Sequence, residues 1–172
     1  MRKVESPVRV SGQYDAKLDA KGRVIVPAAH RRAIPQDAEM RLLAAPVFDD
    51  REAIFFCEEK YLQNWAKDIH EKLKDARTAD DKPIDSGKVI SLIVGSSREA
   101  QIDGQGRLLL PQDFRQACGI ENEVRFIGNV SIIEIWKPAA HDTWAGKVTA
   151  ELDEYTKTRI RFGGFLQSES GS

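Results

Sequence analysis

The 172-residue chain is short of cysteine, of histidine, of net charge and of long apolar runs. Each shortage excludes something. A membrane-crossing helix needs roughly 20 consecutive apolar residues, and the longest candidate, Val89 to Val94, is broken by Ser91. The opening Met1-Arg2-Lys3-Val4-Glu5-Ser6-Pro7 puts no apolar segment behind its charges, so no secretory signal is expected. Cys57 and Cys118 stand far apart in hydrophobic surroundings. They read as small core residues in a reducing compartment rather than a disulfide framework. His30, His70 and His141 share no metal-ligand spacing with one another or with the cysteines. No nucleophile elbow or phosphate loop occurs, and Gly104-Gln105-Gly106 lacks the third glycine of a dinucleotide fingerprint. The expectation is no metal, no cofactor and no enzyme. His30 and His141 fall at expected helix starts and are assigned ordinary surface roles.

What remains is a chain that is 41% hydrophobic and 31% charged, enough for one domain or two small halves with a real core. It is expected to be soluble and cytoplasmic. Its 26 basic and 27 acidic residues give a net charge of −1. Nucleic-acid-binding domains are usually basic overall, so this balance argues mildly against DNA, although the local charge on a binding face decides the matter.

The chain repeats itself once. Asp19-Ala-Lys-Gly22-Arg23-Val-Ile-Val-Pro27 recurs as Asp103-Gly-Gln-Gly106-Arg107-Leu-Leu-Leu-Pro111, an offset of 84 residues. The match extends from Leu18 and Ile102 to Arg31 and Arg115, and on to Ala33 and Ala117. Downstream, Ile54 to Trp65 resembles Ile133 to Trp144 at an offset of 79, placing five extra residues in the Ala44–Glu52 loop of the first copy.

Each copy predicts the same elements. A strand (Gln13 to Asp19; Glu99 to Asp103) reverses at a glycine able to take positive φ. A short aliphatic strand (Val24 to Val26; Leu108 to Leu110) follows, and a proline suited to a first helical turn leads into a short helix. These helices are Ala28 to Ile34 and Gln112 to Cys118, the second stopped by Gly119. Strands are predicted at Met40 to Ala44, Ala53 to Cys57, Glu123 to Gly128 and Ser131 to Trp136, with a hairpin turn at Gly128-Asn129. Longer helices close each copy, one over Glu58 to Arg77 with the stripe Tyr61, Leu62, Trp65, Ile69 and Leu73. The other carries Trp144, Val148, Leu152 and Tyr155. Asp80 to Gly87 reads as a linker. Val89 to Val94 has β-branched content that periodicity alone cannot assign to strand or helix.

Asp-x-x-Gly-Arg has a structural role available to it: Asp19 and Asp103 can accept backbone amides in the turn while Arg23 and Arg107 pair with them. Gly22 and Gly106 then serve the backbone. Charge separates the two copies. From Arg9 to Arg32 six basic residues face two acids; from Ile93 to Gln116 three face three. A basic projecting turn on one copy suits phosphate and the β-ribbon mode of DNA reading; a solvated basic surface explains the same charges equally well.

The residues Gly12 to Pro27, Gly95 to Pro111, Ile133-Glu-Ile-Trp-Lys137 and Trp144 together resemble the MraZ family, over roughly Val10 to Leu166. The resemblance implies an α+β fold of two tandem AbrB-like β-hairpin/helix half-units packed about a pseudo-twofold axis, each followed by a longer helix. It makes Val89 to Val94 helical. The implied organisation is an N-terminal extension (1–9), a DNA-facing first repeat (10–78), a linker (79–88), a second repeat (89–166) and a disordered tail (167–172). The implied function is a nucleoid-associated bacterial transcriptional regulator, a ring-shaped homo-oligomer on direct repeats of double-stranded DNA. The promoter would be that of its own division and cell-wall gene cluster. On that reading Lys17, Lys21 and Arg23 meet DNA, with Arg9 and Arg31 as nearby phosphate contacts, while Asp103, Gly106 and Arg107 are structural. A protein–protein scaffold and a hydrolase or transferase using the Asp–Arg pairs are the rival readings.

Overall fold

The computed structural model describes residues 10–47 and 51–158, with side chains described for 10–46 and 51–152. Residues through Pro138 form one compact unit, and the residues from Ala139 form a second. In the first repeat, β1 (Gln13–Lys17) and β2 (Arg23–Ile25) are followed by α1 (Ala28–Ala33), β3 (Met40–Ala44), β4 (Ala53–Glu58) and α2 (Glu59–Leu73). Then come α3 (Ser86–Gly95), β5 (Arg98–Ala100), β6 (Arg107–Leu109), α4 (Gln112–Ala117), β7 (Glu123–Asn129), β8 (Ile132–Trp136) and α5 (Pro138–Thr158). The elements follow the predicted order closely, and Val89 to Val94 lies inside a helix. Asp85 caps that helix, its side chain accepting from the Lys88 amide.

The strands do not pair as the reading of tight reversals suggests. β1 and β2 form no ladder with each other, only an isolated bridge between Leu18 and Val24 beside them, and β5 and β6 likewise have only the bridge between Ile102 and Leu108. Instead each repeat lends its first strand to the other: β1 pairs with β7, and β5 with β3. The result is a six-stranded antiparallel sheet in the order β1-β7-β8-β4-β3-β5, plus a separate β2-β6 ribbon. Replacing every strand by its repeat counterpart reverses this order without changing it.

The central strands β4 and β8 are buried on both faces, so they read as continuous apolar runs rather than alternating ones. One face packs Ile54, Phe56, Ile133 and Ile135 with Phe126, Val24, Leu108 and Leu110 in the main core. The opposite face carries Glu134, a carboxylate only 3% exposed. Three donors satisfy it: Arg51 Nη1 at 2.8 Å, Asn129 Nδ2 at 2.9 Å and Trp136 Nε1 at 2.9 Å. A buried charge without such partners would cost several kcal/mol on the order-of-magnitude scale for ion desolvation.

Two details differ from expectation. The β7–β8 turn is Val130-Ser131, because Asn129 and Ile132 are still paired and Val130 takes φ +53°. Gly128 sits inside the strand, where Ser11 crosses it so closely that an added Cβ would stand 2.5 Å from the Ser11 amide nitrogen. Pro27 and Pro111 cap their helices rather than start them, their carbonyls accepting from Arg31 and Arg115 at 2.9 and 3.0 Å. Gly119 does end α4 as predicted. Its amide reaches Gln116 O while Ile120 N reaches Arg115 O, a Schellman closure with Gly119 at φ +60°.

The α5 helix runs unbroken over the predicted stripe, with Leu152 46% exposed and the Tyr155 side chain outside the described ones. Cys57 and Cys118 are free and buried, and burial pushes both thiols up to about 12.

Candidate nucleic-acid interface

The two Asp-x-x-Gly-Arg turns are built alike. Asp19 Oδ1 accepts the amides of Lys21 and Arg23, both at 2.9 Å, while Oδ2 accepts Arg23 Nε at 2.7 Å and pairs with Nη2 at 2.7 Å. In the second turn Asp103 Oδ1 takes the amides of Gln105 and Arg107 at 2.9 Å, and Arg107 clasps Oδ2 at 2.8 Å. The side-chain and backbone bonds from Arg23 hold the Asp19 carboxyl down at about 2. Asp103 is lowered too, first by the Arg107 amide. Gly22 and Gly106 sit at φ +76° and +79°, where a side chain is strained.

The ribbon orients these turns. Arg23 lies opposite Leu109, Val24 opposite Leu108 and Ile25 opposite Arg107, so the antiparallel pair carries one turn at each end. Val26 N donates to Gly106 O at 2.9 Å and Leu110 N to Gly22 O at 3.0 Å, so each turn is stitched to the other repeat. Val24 and Leu108 point into the core at 1% and 0% exposure, while Ile25 and Leu109 stand out at 59% and 56%.

The predicted DNA-binding residues are therefore distributed rather than clustered. Lys21 is exposed at the first turn. Arg23, in the same turn, uses Nε and Nη2 on Asp19, leaving Nη1 without a partner among the described residues. Lys17, at the end of β1, is 84% exposed and 3.9 Å from Glu123, a loose contact. Arg31 is not at the first turn: its guanidinium packs over Gly106, at the opposite end of the ribbon. Arg9 lies outside the described residues. In exchange, Arg115 from α4 lies over Gly22, with Cζ and Nη2 both 3.0 Å from where a Cβ would stand. The repeat alignment of Arg31 with Arg115 was the available signal. Which turn each arginine serves depends on strand exchange, which linear charge windows do not report.

His30 corrects a second expectation. It is fully buried, not a surface residue, donating from Nε2 to Ser11 O at 3.1 Å and meeting Tyr14 edge-on at 5.1 Å. Its Nδ1 has no partner among the described residues, and burial lowers its pKa. Among the described residues no group of three or more His, Cys, Asp or Glu could hold a metal, and no helix is long and apolar enough to cross a membrane.

Relatives share this sequence over most of its length. A protein named transcriptional regulator MraZ from Bacteroides fragilis is 34% identical over 131 residues, which is 75% of this chain and 77% of the relative. The chain belongs to the MraZ family. Namesakes from Thermoanaerobacter sp. and Halorhodospira halophila are 30% and 31% identical. They cover 83% and 91% of this chain, and 91% and 96% of their own. The family model described as "MraZ protein, putative antitoxin-like" matches residues 93–163, over the second repeat. MraZ relatives are regulators of transcription, not enzymes, and this chain is assigned to the same class.

Proposed function

We propose that this MraZ protein is a sequence-specific regulator that binds double-stranded DNA through its first turn, with Lys17, Lys21 and Arg23 meeting the duplex. The observation that carries the reading is the rigid exposed turn at one end of a two-stranded ribbon. Asp19 fixes its backbone by accepting hydrogen bonds from two backbone amides and orients Arg23. A ribbon of this width fits the major groove. Arg31 extends the contact to phosphate at the other end of the ribbon, and Arg9 adds a further phosphate contact. The strand exchange supports two AbrB-like half-units about a pseudo-twofold axis.

One contact set on a chain of net charge −1 binds weakly. A closed homo-oligomeric ring engaging direct repeats raises the affinity by avidity. The operator is the promoter of the protein's own division and cell-wall gene cluster, and the protein associates with the nucleoid.

The test is fluorescence anisotropy with that promoter duplex, a scrambled duplex and a salt series, alongside light scattering for the ring. Tight, salt-sensitive binding that prefers the promoter and weakens sharply when the repeats are cut to one is expected. Equal binding to both duplexes reduces the activity to nucleoid coating. A protein that binds neither at low salt is a scaffold instead.

A further inference from the structure

The first turn contains a cation that its own repeat does not encode. We propose that Arg115, carried by the second repeat, is a phosphate-binding residue of the first repeat's DNA-facing turn. The inference rests on the reading of that turn as the DNA interface and adds a residue to it.

Three observations carry it. First, the guanidinium is held in place ahead of any ligand. Its Nε donates to Leu110 O at 3.2 Å, and its plane covers the bare backbone of Gly22 at 3.0–3.1 Å from a would-be Cβ. Secondly, it lacks a counter-ion among the described residues. Arg23, Arg98, Arg107 and Arg125 are each clasped by an aspartate at 2.6–2.8 Å. Among the same residues Arg115 has no carboxylate partner, and neither of its Nη atoms is taken up. A half-buried arginine with a preset fork and two free amines is matched to a phosphate oxygen pair. Because Nε is already anchored, less side-chain freedom is lost when an anion binds.

Thirdly, Gly22 is flanked in sequence by Lys21 and Arg23, so three cations and one carboxylate meet at this turn. The second turn is poorer: Gln105 replaces Lys21, and Arg31 and Arg107 stand with Asp103. The strand exchange thus keeps the first turn the more basic end of the ribbon but supplies its third cation from the second repeat, Arg115 taking the place of Arg31. Gly22 also lets the Arg115 guanidinium lie close against the turn, since a Cβ there would stand 3.0 Å from it and force it to give by a few tenths of an ångström.

The experiment is promoter-duplex anisotropy over a salt series for the wild-type protein, Arg115→Gln and Arg115→Lys, with thermal melts of each. Removing one phosphate contact lowers the log–log salt slope by about 1 and weakens binding roughly 5- to 10-fold at low salt. Arg115→Gln is expected to show both losses, and Arg115→Lys to recover the slope. If Arg115→Gln melts below assay temperature, Arg115→Met, which keeps the aliphatic stem, is read in its place. Unchanged affinity and slope in the neutral variant would overturn the proposal. So would weaker binding with an unchanged slope that Arg115→Lys fails to restore, because that is a packing defect. A wild-type protein with no salt-dependent binding would refute the DNA reading itself, and that outcome is distinguishable because it appears without any substitution.

Discussion

Replacing Gly128 by alanine tests the crossing of the Ser11 segment over β7. The new Cβ would lie 2.5, 2.6 and 2.7 Å from the Ser11 amide nitrogen, Cα and carbonyl carbon. Carbon atoms prefer about 3.5–4.0 Å, and all three neighbours are backbone, so residues 10–12 must move by about 1 Å. That displacement breaks the Gly128 N to Gly12 O bond at 2.9 Å and the two reciprocal Val10–Val130 bonds at 3.0 Å. At roughly 1 kcal/mol net for each hydrogen bond, the loss is about 3 kcal/mol. Val10, only 4% exposed, would be uncovered as well; exposing half of a valine adds about 1 kcal/mol. The lower chain entropy of unfolded alanine returns roughly 0.5–1 kcal/mol. The expected net destabilisation is about 3 kcal/mol, read by urea unfolding, with a fall in Tm of about 10 °C for a chain of this size. Gly104→Ala is the control, since its Cβ meets nothing within 4 Å. If Gly128→Ala unfolds within about 0.5 kcal/mol of wild type, the range expected for an uncomplicated surface site, the close crossing is wrong.

Other consequences are equally direct. Glu134→Ala leaves Arg51 without its buried carboxylate, so it should cost about 3 kcal/mol, the lower end for a broken buried pair because Arg51 is 21% exposed. Chemical denaturation reads it, and a loss under 1 kcal/mol would contradict the network. His30 has a pKa below 6.5, so its unfolded form takes up the proton first. Its contribution to stability is present above pH 6.5 and falls as pH drops from there towards the folded pKa. Melts between pH 7.5 and 5 should show a steeper decline in wild type than in His30→Phe. Asp19 titrates near 2, so its stabilising share is present above 3.8 and disappears between 3.8 and about 2. A carboxyl NMR titration with a midpoint near 3.8 would disprove the clasp.

Much of this molecule is legible in its sequence because the signals are local. Glycines at positive φ, aspartates folding back on amides two and four residues ahead, and prolines set just before short helices act within a few bonds. The duplicated motif is therefore sufficient to specify two equivalent turns. Other features are illegible for a shared physical reason. Val130 bends where Gly128-Asn129 is expected to, because Gly128 is needed by a segment more than 100 residues away in sequence. His30 is buried because β1 brings Tyr14 against it and Ser11 O accepts a hydrogen bond from its Nε2. Neither contact leaves a trace in the periodicity around these residues.

The repeat, the order of elements, the build of each Asp–Arg turn and membership of a family of transcriptional regulators are all written in the linear order of residues. Which repeat completes which turn is settled only when the chain folds. The two copies bury their apolar faces by exchanging strands, β1 onto β7 and β5 onto β3. That exchange carries Arg31 to Gly106 and Arg115 to Gly22. Side-chain chemistry sets what each residue can do, but burial across long sequence separations sets which residues do it together.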